Sequence, residues 1–277
     1  FKINITIPLL KTMIFIYKIS NLIIEGRKYL FLSVFFAASL PQFAFINGVI
    51  NNDSLAFMLS TISIYYIFRI IKNQNSLGDF ILLGIFAGLS IICKKTLFFL
   101  IPGILTVFIL LFIRKKLKTA VLIKRALFVF LLISVISFAY FYRNLTIYGD
   151  ILGSKMEVDT MPQHIEIKSL FSYFFAVKFL PMVYHSFIGS FGWMNVKLPL
   201  YIYIVYTIIF GVSLYGYARE IRSKKTIDAN YIIGLLLIVF CTSVIIYVNF
   251  IFTQPQGRYI LPVVSSVSVL FSTGILL

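Results

Sequence analysis

The sequence predicts an all-α fold, a polytopic bundle of transmembrane helices. Of its 277 residues, 60% are hydrophobic and 12% are charged, and the mean hydropathy is +0.99. Soluble domains do not reach such values. The apolar residues fall into long runs, and the basic residues occupy short loops on alternate sides of these runs. Because cytoplasmic loops of membrane proteins are rich in Lys and Arg, this alternation predicts the orientation as well as the fold class.

Nine apolar runs are read as membrane spans. A helix rises about 1.5 Å per residue and needs about 20 apolar residues to cross about 30 Å of hydrocarbon. The fourth run is short, so its crossing requires that Lys94 and Lys95 reach toward the outer interface or that the bilayer thins there. The predicted spans are 5–24, 30–50, 54–71, 80–92, 96–113, 126–142, 198–217, 231–251 and 260–277.

With the first span running inward, every basic cluster falls in a cytoplasmic loop. More than half of the Lys and Arg residues lie in these loops, where anionic lipid headgroups would meet them. The net charge of +16 therefore indicates membrane lipids as partners, and nucleic acid is not expected. The clusters are Arg27 and Lys28; Arg69 and Lys72; Arg114, Lys115, Lys116, Lys118, Lys124 and Arg125; and Arg219, Arg222, Lys224 and Lys225.

A long outer loop, residues 143–198, separates the sixth and seventh spans. Its length is far above that of ordinary connections. Its middle, residues 170–192, is so rich in Phe, Tyr and Met that an interfacial or re-entrant segment is expected. The ionisable residues of this loop are Glu157, Asp159, His164, Glu166, Lys168, His185 and Lys197.

The sequence predicts neither a disulfide nor a metal site. Cys93 and Cys241 lie at or within apolar runs and are expected to be small buried residues. His164 and His185 are too far apart in sequence to indicate a pair of metal ligands, and a structural or solvent-exposed role is favoured for them.

Ionisable groups at the outer ends of helices are the candidate functional residues. Asp53 precedes an apolar helix, where it can act as the N-cap or be kept ionised by the helix dipole as a base or metal ligand. Lys94 and Lys95 can anchor a short helix or contact a lipid phosphate. Arg258 lies in a polar turn between two apolar spans, on the side that the positive-inside rule leaves poor in Arg, which favours a functional role.

Four short motifs resemble a family of predicted membrane glycosyltransferases. They are Pro41-Gln42-Phe43 running to Asn51-Asn52-Asp53; Gly84 through Gly88 to Lys94-Lys95-Thr96; Phe191-Gly192-Trp193; and Pro255-Gln256-Gly257-Arg258-Tyr259. Their order and spacing run over most of the chain. The family belongs to the GT-C superfamily and is similar in layout to protein O-mannosyltransferases and lipid A aminoarabinose transferases.

The resemblance implies transfer of a hexosyl or pentosyl group, with inversion, from a polyprenyl-phosphate carrier to an extracytoplasmic acceptor: a cell-envelope glycan, a lipid or a protein. It implies a multi-pass protein of the plasma membrane with its active site on the outer side. Such chemistry needs a carboxylate to orient or deprotonate the acceptor, and cations to stabilise the departing lipid phosphate. The catalytic candidate is Asp53, and the substrate-binding candidates are Lys94, Lys95, Arg143, Gln256, Arg258 and Tyr259. The resemblance leaves open whether a divalent metal takes part.

The sequence departs from the family pattern at its beginning. The related enzymes usually carry their main catalytic Asp or Glu in the first outer loop, and this sequence opens at Phe1 beyond the place expected for that loop. We therefore expect residues 1–277 to be a single transmembrane domain that lacks an N-terminal span and the first outer loop and is truncated after Leu277. Asp53 then matches the second outer turn, with a role in acceptor positioning, metal contact or support of the missing carboxylate.

Two other classes of function stay open. A transporter or lipid flippase would also be polytopic, although no convincing internal repeat is found and the polar residues collect at outer helix ends. A noncatalytic membrane subunit could use the long outer loop to position a partner enzyme. The sequence names neither the sugar, nor the acceptor, nor the oligomeric state.

Overall fold

The computed structural model describes residues 6–24, 29–72, 76–115, 117–153, 169–192, 194–224, 228–251 and 254–277. Within these residues the chain is an all-α bundle of eleven α-helices and one small hairpin, which confirms the predicted fold class. The helices are α1 (Thr6–Ile23), α2 (Leu30–Ser39), α3 (Pro41–Asn47), α4 (Asp53–Ile71), α5 (Leu77–Cys93), α6 (Leu100–Ile113), α7 (Thr119–Tyr148), α8 (Leu180–Ile188), α9 (Leu200–Lys224), α10 (Ala229–Ile251) and α11 (Val264–Leu276). Two 3-10 segments, Lys95–Phe99 and Gly257–Val263, lead into α6 and α11, a π-helix at Phe174–Phe179 leads into α8, and strands β1 (Ser190–Phe191) and β2 (Val196–Lys197) pair antiparallel.

Six helical segments of the described chain are long and apolar enough to cross a membrane. They are Asp53–Ile71, Lys95–Ile113, Thr119–Tyr148, Leu200–Ser223, Ala229–Ile251 and Gly257–Leu276. The pair α2 and α3 passes as a seventh when it is taken together across a bend of 72°. The prediction of nine spans was thus too high by this measure, since α1 and the shorter α5 are not among them.

The predicted second span is broken at Pro41. Proline disfavours helical geometry in the residue before it, and Leu40 is extended, with φ −66° and ψ 111°. Pro41 itself is well placed as the first residue of α3, because the first turn of a helix needs no N–H donor from it. The break turns α3 toward the end of the bundle where Asp53 lies.

Glycines set the distance between α5 and α7. A Cβ on Gly84 would lie 3.0 Å from Cβ of Leu132, and one on Gly88 would lie 3.0 Å from Cβ of Ile136. The small-residue face predicted on the fourth span therefore packs closely against a neighbouring helix. The residue contacted on α7 moves from Leu132 to Ile136 as the glycine moves from Gly84 to Gly88, so α5 and α7 run in the same direction. Helix α6, which connects them in sequence, runs in the opposite direction.

The two ends of the bundle differ in the residues that they gather. One end, which we call the Asp53 end, contains the turn before α4, the turn after α5 and the turn before α11. At the other end, the Lys72 end, a cavity of about 530 Å³ is lined by Lys72, Arg114, Glu220 and Asp228 among others. Lys72 and Arg114, which belong to two of the loops that the sequence placed on one side, therefore meet at this end.

The apolar middle of the long loop is helical. Phe175, Phe179 and Val183 pack against Ile246 and Phe250 of α10. The segment Phe174–Ile188 is too short to be a full crossing. Several residues named from the sequence lie outside the described residues: Arg27, Lys28, Lys116, Glu157, Asp159, His164, Glu166, Lys168, Trp193 and Lys225, together with the side chain of Lys224.

Candidate functional site

Three turns that are distant in sequence meet around the carboxylate of Asp53. The Lys94 ammonium, which follows α5, forms an ion pair with Oδ1 of Asp53. The Arg258 guanidinium, at the start of the segment that leads into α11, places Nη1 3.9 Å from Oδ2 of the same carboxylate. We call Asp53, Lys94, Arg258 and Tyr259 the Asp53 cluster.

The N-terminus of α4 is capped by Asn51 rather than by Asp53. Oδ1 of Asn51 accepts hydrogen bonds from the backbone N–H groups of Asp53 at 2.8 Å and Ser54 at 3.2 Å. Nδ2 of Asn51 donates to the carbonyl of Ile46 at 3.0 Å, which fixes the amide in place. The interpretation of Asp53 as the cap was therefore wrong, because a neighbour performs that task. The Asp53 carboxylate therefore pairs with Lys94 and Arg258, and its position at the start of α4 also suits a negative charge because of the helix dipole.

Lys94 occupies the break between α5 and the following 3-10 segment. Its backbone is extended, at φ −157° and ψ 126°, so the chain turns sharply there. Nδ2 of Asn52 donates to the carbonyl of Cys93 at 3.5 Å, which ties this break to the turn before α4. The Lys94 side chain is 16% exposed, and burial lowers its pKa while the charge of Asp53 opposes that shift.

The ring of Tyr259 lies close to both cations. Nζ of Lys94 is 4.7 Å from its centroid and Cζ of Arg258 is 5.3 Å from it. The Tyr259 hydroxyl donates to Oε1 of Gln254 at 2.6 Å, so the ring is held at its far edge. An aromatic face attracts cations, which helps to keep two like charges close together.

The charges of the cluster do not cancel. One carboxylate faces two cations, and the carboxylate side chain is only 5% exposed. The Arg258 side chain is 35% exposed, and its buried Nε has no hydrogen-bond partner among the described residues. The cluster therefore presents an excess positive charge, with hydrogen-bond donors on a guanidinium that an oxyanion can still reach.

Helix α8 holds the turn that carries Arg258. The backbone N–H of Gly257 donates to Oγ of the buried Ser186 at 2.6 Å. A Cβ on Gly257 would clash with the backbone N of Phe187 and the backbone O of Val183, so only glycine fits here. Sequence reasoning did not find Ser186, because a single serine in an apolar run gives no signal of its own.

The first and third motifs also meet at the Asp53 end. Oε1 of the buried Gln42 accepts from the backbone N–H of Ser190 at 2.9 Å, and the rings of Phe45 and Phe191 lie 4.8 Å apart. Gly192 has φ +54°, a conformation that favours glycine, and it begins the turn of the hairpin. All four motifs thus contribute to one end of the molecule.

The structure brings four of the seven candidate site residues together in the Asp53 cluster, and the other three are Lys95, Gln256 and Arg143. Lys95 is partly buried beside Lys94. Gln256 contributes backbone contacts, since its carbonyl accepts from the N–H of Tyr259 at 3.2 Å. Arg143 is exposed near the end of α7, with Cζ 5.8 Å from the ring of Tyr148, and the described ion pairs of Asp53 do not include it.

The described residues contain no group of three or more His, Cys, Asp or Glu side chains that could hold a metal ion. His185 packs against the ring of Tyr203, with centroids 4.5 Å apart. Cys241 is fully buried, and Cys93 is partly buried beside the turn of Asn52.

Residues 5–139 match the model of a family described as dolichyl-phosphate-mannose-protein mannosyltransferase. The matched region contains Asp53, Lys94 and Lys95, whereas Arg258 lies beyond it. No curated protein and no solved structure matches the chain significantly. Over this region the chain is similar to a family of GT-C membrane glycosyltransferases that use polyprenyl-phosphate sugar donors. Its apolar helical bundle fits an integral, multi-pass membrane protein.

Proposed function

We propose that this protein transfers a hexosyl or pentosyl group from a polyprenyl-phosphate carrier to an acceptor on the extracytoplasmic side of the plasma membrane. The acceptor is a cell-envelope glycan, a lipid or a protein. The observation that carries the proposal is the Asp53 cluster, in which two cations from different turns flank one buried carboxylate at one end of an apolar bundle.

Lys94 and Arg258 are the proposed cradle for the lipid phosphate. During transfer the bond between the sugar C1 and the phosphate oxygen breaks, and the departing phosphate gains negative charge. Cations that are already in position stabilise this developing charge more strongly than they stabilise the bound donor. They therefore lower the activation barrier of the transfer. The guanidinium of Arg258 can donate to two phosphate oxygens at once, whereas the Lys94 ammonium acts as a compact charge.

Asp53 is the proposed carboxylate of the site. In the transfer a bond forms between the acceptor oxygen or nitrogen and C1 on the face opposite to the leaving phosphate, and the acceptor loses a proton. When the phosphate engages Lys94 and Arg258, it competes with Asp53 for them. The carboxylate is then available to orient the acceptor or to support the carboxylate that takes its proton.

The proposal is tested by transfer assays on the purified protein in lipid vesicles. A panel of polyprenyl-phosphate hexoses and pentoses is supplied, and release of polyprenyl phosphate is measured. We expect Arg258→Ala to lower turnover about 100-fold or more, because it removes a donor to the developing charge. Arg258→Lys should retain part of the activity, since it keeps the charge and loses the fork.

The matched control is Lys197→Ala, which removes an exposed cation from the hairpin near the same end of the bundle. This variant should turn over at the wild-type rate. Undiminished transfer by Arg258→Ala, or an equal loss in both variants, would remove the phosphate role from Arg258.

A further inference from the structure

A second charged cluster lies at the Lys72 end of the bundle. Helix α4 begins at Asp53 and reaches Arg69 in its last turn. At about 1.5 Å per residue, Arg69 is about 24 Å along the helix axis from Asp53. Lys18 of α1, Tyr65 and Arg69 of α4, and Asp79 of α5 meet here, and we call them the Tyr65 cluster.

Arg69 is held in a fixed orientation by two partners. Its Nε lies 3.1 Å from the carboxylate of Asp79, and its Nη1 donates to the hydroxyl of Tyr65 at 3.2 Å. Asp79 is only 3% exposed, whereas the Arg69 side chain is 34% exposed. Arg69 thus pairs with the buried Asp79 carboxylate through Nε, while part of its guanidinium stays exposed at the surface.

Lys18 approaches the same tyrosine from the neighbouring helix. Its Nζ lies 5.9 Å from the Tyr65 centroid and 4.7 Å from the Phe15 centroid, and Cζ of Arg69 lies 5.9 Å from the Tyr65 centroid. The rings of Phe15 and Tyr65 pack edge to face at 5.2 Å. Cations from two different helices therefore lie close to one ring.

The position of Lys18 distinguishes it from the basic residues of the loops. It lies within α1, five residues before the end of the helix at Ile23, and its side chain is exposed. A lysine facing hydrocarbon is costly, although about 8 Å from the helix end its side chain can reach the headgroup level. The one carboxylate of the cluster is already paired with Arg69, so a positive charge remains on an exposed surface of the bundle.

We propose that the Tyr65 cluster binds the phosphate group of an anionic lipid in the membrane leaflet opposite to the Asp53 cluster. The phosphate lies between the Lys18 ammonium and the exposed edge of the Arg69 guanidinium, and the Tyr65 ring sets the spacing of the two cations. Basic sites between transmembrane helices are suited to such headgroups, because the acyl chains can follow the apolar helix faces. The site is separate from the proposed sugar-transfer chemistry and does not depend on it.

The test measures lipid retained by the purified protein in native mass spectrometry. Nanodiscs of phosphatidylcholine with increasing phosphatidylglycerol supply the phospholipid, and a second series adds a polyprenyl phosphate instead. We expect the wild-type protein to retain anionic lipid in preference to phosphatidylcholine, and Lys18→Gln to lower this retention at least fivefold. Tyr65→Phe should lower it as well, because it releases Nη1 of Arg69 while keeping the ring.

Lys11→Gln is the matched control, since Lys11 is exposed on the same helix two turns closer to the Asp53 end. Arg69 is kept, because its removal would leave the buried Asp79 carboxylate without its cation. Equal retention by Lys18→Gln and the wild type, or an equal loss in Lys11→Gln, would overturn the proposal. If the site is confirmed, stronger retention of phosphatidylglycerol identifies a phospholipid as the occupant, and stronger retention of polyprenyl phosphate identifies the carrier lipid.

Discussion

Asp53 and Asp79 are buried carboxylates in the first turns of neighbouring apolar helices, yet their surroundings differ. Asp79 follows Ser76, which caps α5, and it pairs with the single cation of Arg69. Asp53 follows Asn51, which caps α4, and it faces the two cations of Lys94 and Arg258. Only Asp53 is paired with two cations at once, and this difference locates the candidate site.

Asp53→Asn should separate binding from catalysis. The substitution keeps the shape of the side chain and raises the charge of the Asp53 cluster by one, so donor binding should be retained or become tighter. Turnover should fall about 100-fold, since the carboxylate is no longer available to the acceptor. Titration with a polyprenyl phosphate and single-turnover assays on the same purified protein measure the two effects.

Asp79→Asn provides the control for this substitution. It also removes a buried carboxylate from a helix start, and it breaks an ion pair whose remaining partner, Arg69, is partly exposed, so a moderate loss of stability is expected. Its melting temperature should fall without a specific loss of turnover at temperatures where it stays folded. If Asp53→Asn behaves in the same way, Asp53 has a structural role alone.

The pH dependence of donor binding should report on Lys94. Burial lowers the pKa of Lys94, so its ammonium loses a proton at a lower pH than an ordinary lysine does. Affinity for polyprenyl phosphate should therefore decline on the alkaline side, below the range where free lysine titrates. Asp53 raises the pKa of Lys94, so Asp53→Asn should move this decline to still lower pH. Binding isotherms measured across the alkaline range test the direction, and a decline that moves upward in the variant would contradict it.

At the scale of secondary-structure elements, α8 supports the turn that carries Arg258. The contact depends on Gly257, which has no room for a Cβ against the backbone of Val183 and Phe187. The sequence predicted that this stretch was too apolar for a free loop, and it did not predict the partner. A contact between residues 71 positions apart is decided by packing, which local periodicity does not report.

Gly257→Ala should disable transfer through this contact. The added Cβ must push the turn away from α8, because the atoms that it meets are backbone and cannot rotate aside. Arg258 then loses its position, and turnover should fall at least 10-fold with a weaker affinity for polyprenyl phosphate. Gly211→Ala is the control, since a Cβ there meets open space on α9. Comparable activity of the two variants would show that the turn tolerates displacement.

At the scale of the whole molecule, Lys72 and Arg114 of the basic loops lie at the end of the bundle opposite to the Asp53 cluster. The described parts of the chain place Lys72 and Arg114 around one cavity, and α4 separates Lys72 from Asp53 by its full length. The positive-inside rule then predicts that the Asp53 end faces the extracytoplasmic side.

This orientation can be measured by labelling with a membrane-impermeant maleimide. In a background with Cys93 and Cys241 replaced by Ala, Asn195→Cys lies in the exposed hairpin turn and Lys118→Cys lies in an exposed loop at the other end. We expect Asn195→Cys to react in intact cells and Lys118→Cys to react only after permeabilisation. The reverse pattern would place the Asp53 cluster in the cytoplasm.

The sequence alone determined the fold class, because the length and spacing of apolar runs reflect the thickness of the bilayer. It also selected Asp53, Lys94 and Arg258 for the candidate site, since charged groups at outer helix ends stand out against an apolar background, and the family resemblance added Tyr259. Its count of nine spans exceeds the six or seven that pass by length and composition, because α1 and the short α5 do not pass and an apolar run does not show where Pro41 breaks a helix.

Only the tertiary structure decided which of these residues meet. It showed Asn51 rather than Asp53 as the cap, Arg143 outside the described ion pairs of Asp53, and Ser186 as the support of the Arg258 turn. Such pairings depend on how helices distant in sequence pack against one another. A sequence pattern reports which face of a helix is apolar, whereas the contacts across helices follow from side-chain shape and from where each turn ends.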